Sequence, residues 1–436
     1  MDANSCNPGF SMDYLPAAGL PSPSDAGLRL AQVGRRAEGR FSPMATQNIE
    51  IQHPDTSQPG APPKDLSNAG VPGTERLLSL DVFRGFTMQW IVGGKAFVVA
   101  LILFVLGDNV VSAGLIGQLE HTTWFGLHFY DCIWPSFMLM VGVSIPFSLA
   151  ARSKTETYSQ QLVHAIRRTI IIFLLGSVRE SISLGSPFLI ELSSALQPIA
   201  IAYFVSFLVA RRSWRFQASL AAAILAGYGL VLAFVPAPGI PAGTYVLNHN
   251  LVHYVDMALL GPHYRIWPVF SEGWGTILVL IPPIATTLIG VIVGKLLMTS
   301  RSIGHKAAVI GAMGVGLLVL GLAVSPWMPI EMKMWTSSYG LASAGVACLE
   351  FLFFFWLVDM ARVRKWGILF VPFGRNALFI YVATSIISFE AGTNIFTRPV
   401  AAHLGRGGPL LEAFAPIFVA WLILYWMMRR KVYVKV

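Results

Sequence analysis

Hydrophobic and polar positions divide this chain into a short polar head and a long apolar body. From Leu80 onward, ten apolar runs follow one another, each near the roughly 20 residues that cross a bilayer as a helix. They lie at about 83–106, 130–151, 166–186, 192–210, 216–235, 274–298, 306–325, 337–358, 369–390 and 410–428. The third run is interrupted by Arg179 and Glu180. The pattern predicts an all-α polytopic membrane helix bundle of about ten transmembrane helices. A single domain is expected over 76–436, with one long outer loop at 236–273. Residues 1–75 are rich in Pro, Gly, Ser and Asp, without apolar periodicity or the basic start and apolar core of a signal peptide, and predict a disordered tail. Met44, followed by ATQNIE, is a second candidate start.

Composition agrees with the pattern. Of 436 residues, 55% are hydrophobic and 12% charged, too apolar for a soluble protein of this size, so a lipid bilayer is the expected surroundings. The net charge of +9 would suit nucleic acid, but Lys and Arg fall in short clusters between apolar runs, so nucleic acid is excluded as a partner. Alternate loops differ sharply in these residues: seventeen in one set, including Arg152, Arg168, Arg211, Arg362 and Arg429, against five in the other, Arg179, Arg265, Lys333, Arg398 and Arg406. The positive-inside rule then places both termini in the cytoplasm and the 107–129 segment outside. The three cysteines, Cys6, Cys132 and Cys348, have neither a disulfide framework nor metal-ligand spacing, and no metal is expected.

Polar residues inside apolar runs are the candidate chemistry. In SLDVFRGF (79–86), Ser79 or Asp81 can cap the first helix, and Asp81 and Arg84, three apart, share a face. Lys95, eleven residues beyond Arg84, falls on nearly that face about 16 Å further along a straight helix. An ammonium there costs roughly 3 kcal/mol or more unless paired or hydrated, so this face is expected to line a polar cavity; snorkelling to the outer surface is the alternative. His121, His128 and Asp131 stand before the second run, and imidazole is the usual proton-transfer group near neutral pH. Trp124 and Tyr130 suit an interfacial belt. Spacing alone gives a site here and no reaction.

Several stretches, taken together, resemble the heparan-alpha-glucosaminide N-acetyltransferase family and its bacterial relatives: RLLSLDVFRGFTM (76–88), HTTWFGLHFYDCIWPSFMLMVG (121–142), ALQPIAIAYF (195–204), SEGWGTILVLIPPIATTLIGVIVGKLL (271–297), MWTSSYGL (334–341) and FGRNALFIYV (373–382). The resemblance implies a multi-span enzyme that uses cytosolic acetyl-CoA to acetylate an amino sugar or glycan across the membrane. It implies that the histidine of His-x-x-Trp-x-Gly, His121, is catalytic. The chain departs from the family pattern at Lys95, where an asparagine is expected, at Leu196-Gln197-Pro198, and at Glu331-Met332, beside which Lys333 offers a displaced lysine.

On this reading His121 is a general base or acyl carrier, oriented by Asp131 or Glu120. Asp81, Arg84, Lys95, Arg375 and Asn376 bind acetyl-CoA, its phosphates meeting Arg84, Arg375 and the basic loops. Trp124, Asp256, Glu272 and Lys333 contact the acceptor, with His249, His253 and His263 in the same outer region. The expected location is a bacterial cytoplasmic (inner) membrane, and a homodimer is a candidate assembly. Two rivals share the ten-span pattern. One is a secondary transporter, for which Pro282-Pro283 would break a helix, and the other is a non-catalytic partner that keeps the fold.

Overall fold

A computed structural model describes residues 77–185, 192, 194–264 and 273–434. Fifteen α-helices run in chain order among the described residues: α1 (Leu78–Gln89), α2 (Lys95–Leu106), α3 (Val110–Gly117), α4 (Ile133–Arg152), α5 (Tyr158–Leu184), α6 (Leu196–Val209), α7 (Trp214–Phe234), α8 (Leu251–Tyr264), α9 (Pro282–Leu297), α10 (Ile303–Val324), α11 (Ser337–Phe355), α12 (Val371–Arg375), α13 (Ala377–Ile386), α14 (Phe389–Ala401) and α15 (Gly408–Arg429). The protein is an all-α polytopic helix bundle. Beyond the helices, a two-stranded antiparallel hairpin pairs Tyr245–Val246 with His249–Asn250 in the long loop after α7.

Eight helices among the described residues are long and apolar enough to cross a membrane, or nine if the bent α13–α14 pair is one span. The expected count of about ten differs in two places. The 192–210 run forms α6, a helix of only 14 residues, or about 21 Å. The 369–390 run is broken: Asn376 leaves helical geometry between α12 and α13, and α14 departs from α13 at 70°. Ser388 starts α14 afresh, its hydroxyl accepting the Ala391 N–H. By contrast, α5 runs unbroken through Arg179 and Glu180, because the two side chains bond each other at 2.5 Å and the Arg179 guanidinium lies 4.5 Å from the Tyr381 ring centre. Pro282 and Pro283 occupy the first turn of α9, where missing N–H groups cost nothing, so they begin a helix rather than break one.

The span from Leu78 to Leu106 is not straight. A π turn at Trp90–Gly94, with Gly93 at φ 128°, joins α1 to α2, a conformation that glycine adopts without strain. The register of α2 is thereby shifted relative to α1, which moves Lys95 off the face of Arg84.

α4 and α9 are the central helices, each two-thirds buried (67%), with α11 beside them. Leu139, Met140 and Val143 of α4, Ile289 and Val293 of α9, and Phe351 and Phe354 of α11 share one core with Val82 and Phe83 of α1. Where lipid is as apolar as the side chains, close backbone approach holds helices together. α1 and α12 show this: a Cβ at Gly85 would overlap the Phe370 carbonyl, and one at Gly374 the Asp81 carbonyl. That contact delivers Arg375, the last residue of α12, to Asp81.

The short helix α3 has its N-terminus closed by Asn109, whose side chain accepts from Val111 and Ser112. Gly114 on it is exposed, with open space around a Cβ. With Gly114→Cys in a cysteine-free background, an impermeant thiol reagent should label intact cells; labelling only after lysis would reverse the expected orientation.

Candidate active site

The segment between α3 and α4 folds around one buried carboxylate. Asp131 is fully buried, and its Oδ1 lies 2.8 Å from His121 Nδ1. Its Oδ2 accepts the His128 backbone N–H at 3.0 Å and the Thr122 N–H at 3.5 Å. The Asp131 carbonyl accepts the Tyr339 hydroxyl at 2.7 Å, so α11 fixes the backbone of the same residue. An ionised carboxylate only accepts, so with Asp131 ionised the proton between the two groups sits on Nδ1, and a neutral imidazole then presents a lone pair at Nε2. Tyr130 and Trp274 pack edge-on against the ring, with centroids 4.8 and 5.6 Å away. The result is a rotationally fixed imidazole with one basic nitrogen available.

His121 stands at one end of a cavity of about 1060 Å³ that runs between the helices. Tyr130, Asp131, Trp274 and Thr276 share that end with it. Met88, Ile91, Phe137 and Val141 form an apolar middle. The far end, where α1 begins and α15 finishes, is lined by Asp81, Arg84, Arg152, Arg168, Arg375 and Tyr433. Asp81, almost wholly buried, lies 3.8 Å from Arg84 and 3.7 Å from Arg375. Arg84 donates to Ser144 at 2.9 Å, and Arg375 to the Tyr433 hydroxyl at 3.3 Å. Asp81 is thus a bridge between two guanidiniums. It makes no helix cap, since Leu77 holds the capping position without a side-chain bond.

The structure gathers five expected residues around this cavity: His121, Asp131, Asp81, Arg84 and Arg375. Five others lie outside its lining. Lys95, turned aside by the π turn, bonds Glu120 at 2.5 Å and lies 5.2 Å from the Tyr130 ring centre, so it holds the His121 loop instead of lining a passage. Glu120 is accordingly occupied by Lys95, and the orienting partner of His121 is Asp131. Asn376 grips the segment after α15: its Nδ2 donates to the Val432 carbonyl at 3.2 Å and its Oδ1 accepts the Val434 N–H at 3.1 Å. Trp124 donates to the Tyr245 carbonyl at 2.7 Å, tying the His121 loop to the hairpin. Asp256 is buried and accepts the N–H groups of Thr276 and Ile277 at 2.8 and 3.0 Å, securing the entry to the span that contains α9. Lys333 lies 5.5 Å from the Trp274 ring centre, and its carbonyl accepts the Gly275 N–H. Glu272 and the side chain of His263 lie outside the described residues. His128 bonds the Glu120 carbonyl through Nδ1 at 2.9 Å and does not line the cavity.

Trp274 and Tyr339 were missed as site residues, although both lie in quoted stretches, SEGWGT and MWTSSYGL. Their aromatic character reads equally as core, so only the fold reveals them beside His121 and Asp131. Among the described residues no group of three or more His, Cys, Asp or Glu is arranged to hold a metal ion.

No protein-family model matches the chain. It is similar to heparan-alpha-glucosaminide N-acetyltransferase of Mus musculus, 23% identical over 370 residues. That alignment covers 72% of this chain and 54% of the mouse protein, so the chain spans about half the length of the curated relative it matches. The likeness is that of a distant relative.

A second carboxyl stands near the site. Glu331, in the loop before α11, is fully buried, and its Oε2 accepts the Met334 N–H. Burial raises its pKa from 4.5 to about 7, against the lowering effect of the Met334 and Lys333 backbone bonds and the Lys333 charge. The native state then holds a proton that the unfolded chain releases, so stability falls as pH rises from about 4.5 to about 7 and levels off above. Glu331→Gln should remove roughly 3 kcal/mol of that decline, read as unfolding free energy or melting temperature against pH. Parallel pH profiles for the two proteins would contradict the assignment.

Proposed function

We propose that this protein is a transmembrane acetyltransferase that takes an acetyl group from cytosolic acetyl-CoA and delivers it to an amino sugar or glycan on the opposite face. One observation carries the reading: a single cavity has a cluster of guanidiniums at one end and an aspartate-held histidine at the other. The distant likeness to an N-acetyltransferase supports the same reaction class.

The chemistry follows from the two ends. Arg84 and Arg375, held by Asp81, offer paired N–H donors to phosphate oxygens, the geometry in which Arg binds anions best. The apolar middle suits the uncharged arm of the coenzyme, which carries the thioester toward His121. There Nε2 takes the proton from the acceptor's amine or hydroxyl as that atom attacks the thioester carbonyl. The new bond joins acetyl to the acceptor, the carbon–sulfur bond breaks, and the thiolate leaves with CoA. Asp131 keeps Nε2 in its basic tautomer and stabilises the imidazolium formed. The alternative is a two-step route in which Nε2 itself carries the acetyl group; it uses the same nitrogen. Trp274 packs against His121 and Lys333 against Trp274, which makes both candidates to meet the acceptor. The basic end faces the cytoplasm on this reading, as the charge asymmetry of the loops requires.

The test is transfer of radiolabelled acetyl from acetyl-CoA to a panel of amino sugars and cell-surface glycans by purified protein. His121→Ala should lower transfer about a hundredfold or more while CoA binding stays within error. His128→Ala, outside the cavity, should leave transfer near the unmodified level. Arg84→Gln should weaken CoA binding without unfolding the protein. Transfer that survives in His121→Ala and vanishes in His128→Ala would overturn the assignment. Solute uptake without CoA would favour a transporter, and absence of both activities a non-catalytic partner.

A further inference from the structure

A second cavity opens beside the first. It has a volume of about 280 Å³ and lies between α4, α5 and α6, lined by Ser144, Ser148, Arg152, Gln161, Arg167 and Arg168, with His164 at its edge. The two cavities share Val141, Ser144, Ser148, Arg152 and Arg168 as a common wall. Ser144, the acceptor of the Arg84 hydrogen bond, therefore links both spaces.

The side chamber is built for an anion. Three guanidiniums and a histidine line it, and among the described residues no carboxylate does. Glu156 reaches two of these groups from outside the lining, bonding Arg152 at 3.1 Å and lying 3.7 Å from His164. Arg167 and Arg168 have no acidic partner among the described residues. Arg168 is the telling one. It sits ten residues into α5, about 15 Å along a helix that spans the membrane, with its guanidinium 4.6 Å from the Tyr203 ring centre. Its Nε is buried without a hydrogen-bond partner. A partly buried guanidinium without a counter-ion is a ready seat for an anion. Gln161, buried and held by Arg211 at 2.8 Å, fixes the opposite wall.

We propose that this chamber seats the 3′-phosphate of the CoA nucleotide, while the main passage at Arg84 and Arg375 takes the diphosphate. The inference rests on the acetyl-CoA reading above. CoA is branched at its ribose, where the 3′-phosphate leaves the chain that runs from adenine through the ribose and its 5′-diphosphate to the pantetheine arm. The cavity branches at the same functional point, between its diphosphate-binding end and a basic side pocket. Asp81 tempers the positive charge at Arg84 and Arg375, and among the described residues no acid pairs with Arg168. A terminal phosphate monoester, more highly charged than a diphosphate diester oxygen, belongs in the less neutralised site.

Direct binding of CoA and 3′-dephospho-CoA to the purified protein in neutral detergent tests this. The unmodified protein should prefer CoA by about tenfold or more, the scale of one charged hydrogen-bond set. Arg168→Gln should erase that preference, lowering CoA affinity about tenfold and leaving dephospho-CoA affinity unchanged. Arg84→Gln should weaken both ligands alike. If Arg168→Gln fails to fold, Arg167→Gln provides the same comparison. Equal affinity of the unmodified protein for the two ligands would overturn the proposal and leave the acetyl-CoA reading intact, as would an equal loss for both in Arg168→Gln. Equal affinity together with thermal stabilisation by phosphatidylglycerol vesicles that is lost in Arg168→Gln would instead assign the chamber to a lipid headgroup. Binding of neither nucleotide would sink the acetyl-CoA reading itself.

Discussion

A charge within a bilayer persists only where protein groups or water replace the hydration it has lost, and this bundle is organised around that constraint. Asp81, Arg84, Arg168, Arg179, Glu180 and Arg375 all belong to membrane helices or their ends, and all six line one cavity. Their partners come from different helices. Asp81 on α1 meets Arg375 on α12, Arg84 reaches Ser144 on α4, and Arg179 on α5 stacks on Tyr381 of α13. The polar groups therefore fix which helices surround the passage, while apolar packing among α1, α4, α9, α10 and α11 supports it from behind. Removing one partner would strand the other in a low-dielectric setting, a greater loss than the pair's own net contribution.

The same logic operates at the other end on a smaller scale. Asp131 is buried and satisfied by one imidazole and two backbone N–H groups, so it orders a loop that has little regular structure of its own. Lys95–Glu120 and Trp124–Tyr245 are struts around that loop. Several residues expected to contact ligand are thus found holding the loop that carries His121. The side chemistry is sound in both roles; what differs is whether the polar atoms are already engaged by the fold.

Much of this was legible in the chain. Apolar runs of spanning length gave the helices, since length and hydropathy alone decide that property. The Asp-x-x-Arg and His-x-x-Trp-x-Gly patterns pointed to Asp81, Arg84 and His121, and the pairs Asp81–Arg84 and His121–Asp131 join residues close in sequence. The misplacements have one physical source, geometry set by other helices. Lys95 was projected along a straight helix, and a single positive-φ glycine at 93 invalidated the projection. Asn376 and Asp256 are polar residues whose hydrogen bonds go to backbone groups 20 or more positions away, a pairing that no local pattern encodes. The break between α13 and α14 was invisible because the bend falls inside sequence that remains apolar. The prolines of α9 misled in the other direction, since their effect depends on whether they fall in the first turn or the interior of a helix.

The central claim is that one cavity conducts a thioester from the basic end of the bundle to His121. The most direct measurement is an experimental structure of the full chain with an acetyl-CoA analogue whose thioester is replaced by a non-transferable ketone. The account predicts the ketone at the His121 end of the cavity, with space for an acceptor's amine or hydroxyl between its carbonyl carbon and Nε2, and phosphate oxygens on Arg84 and Arg375. An analogue bound with its acetyl end remote from His121, or with its phosphates away from both arginines, would contradict it.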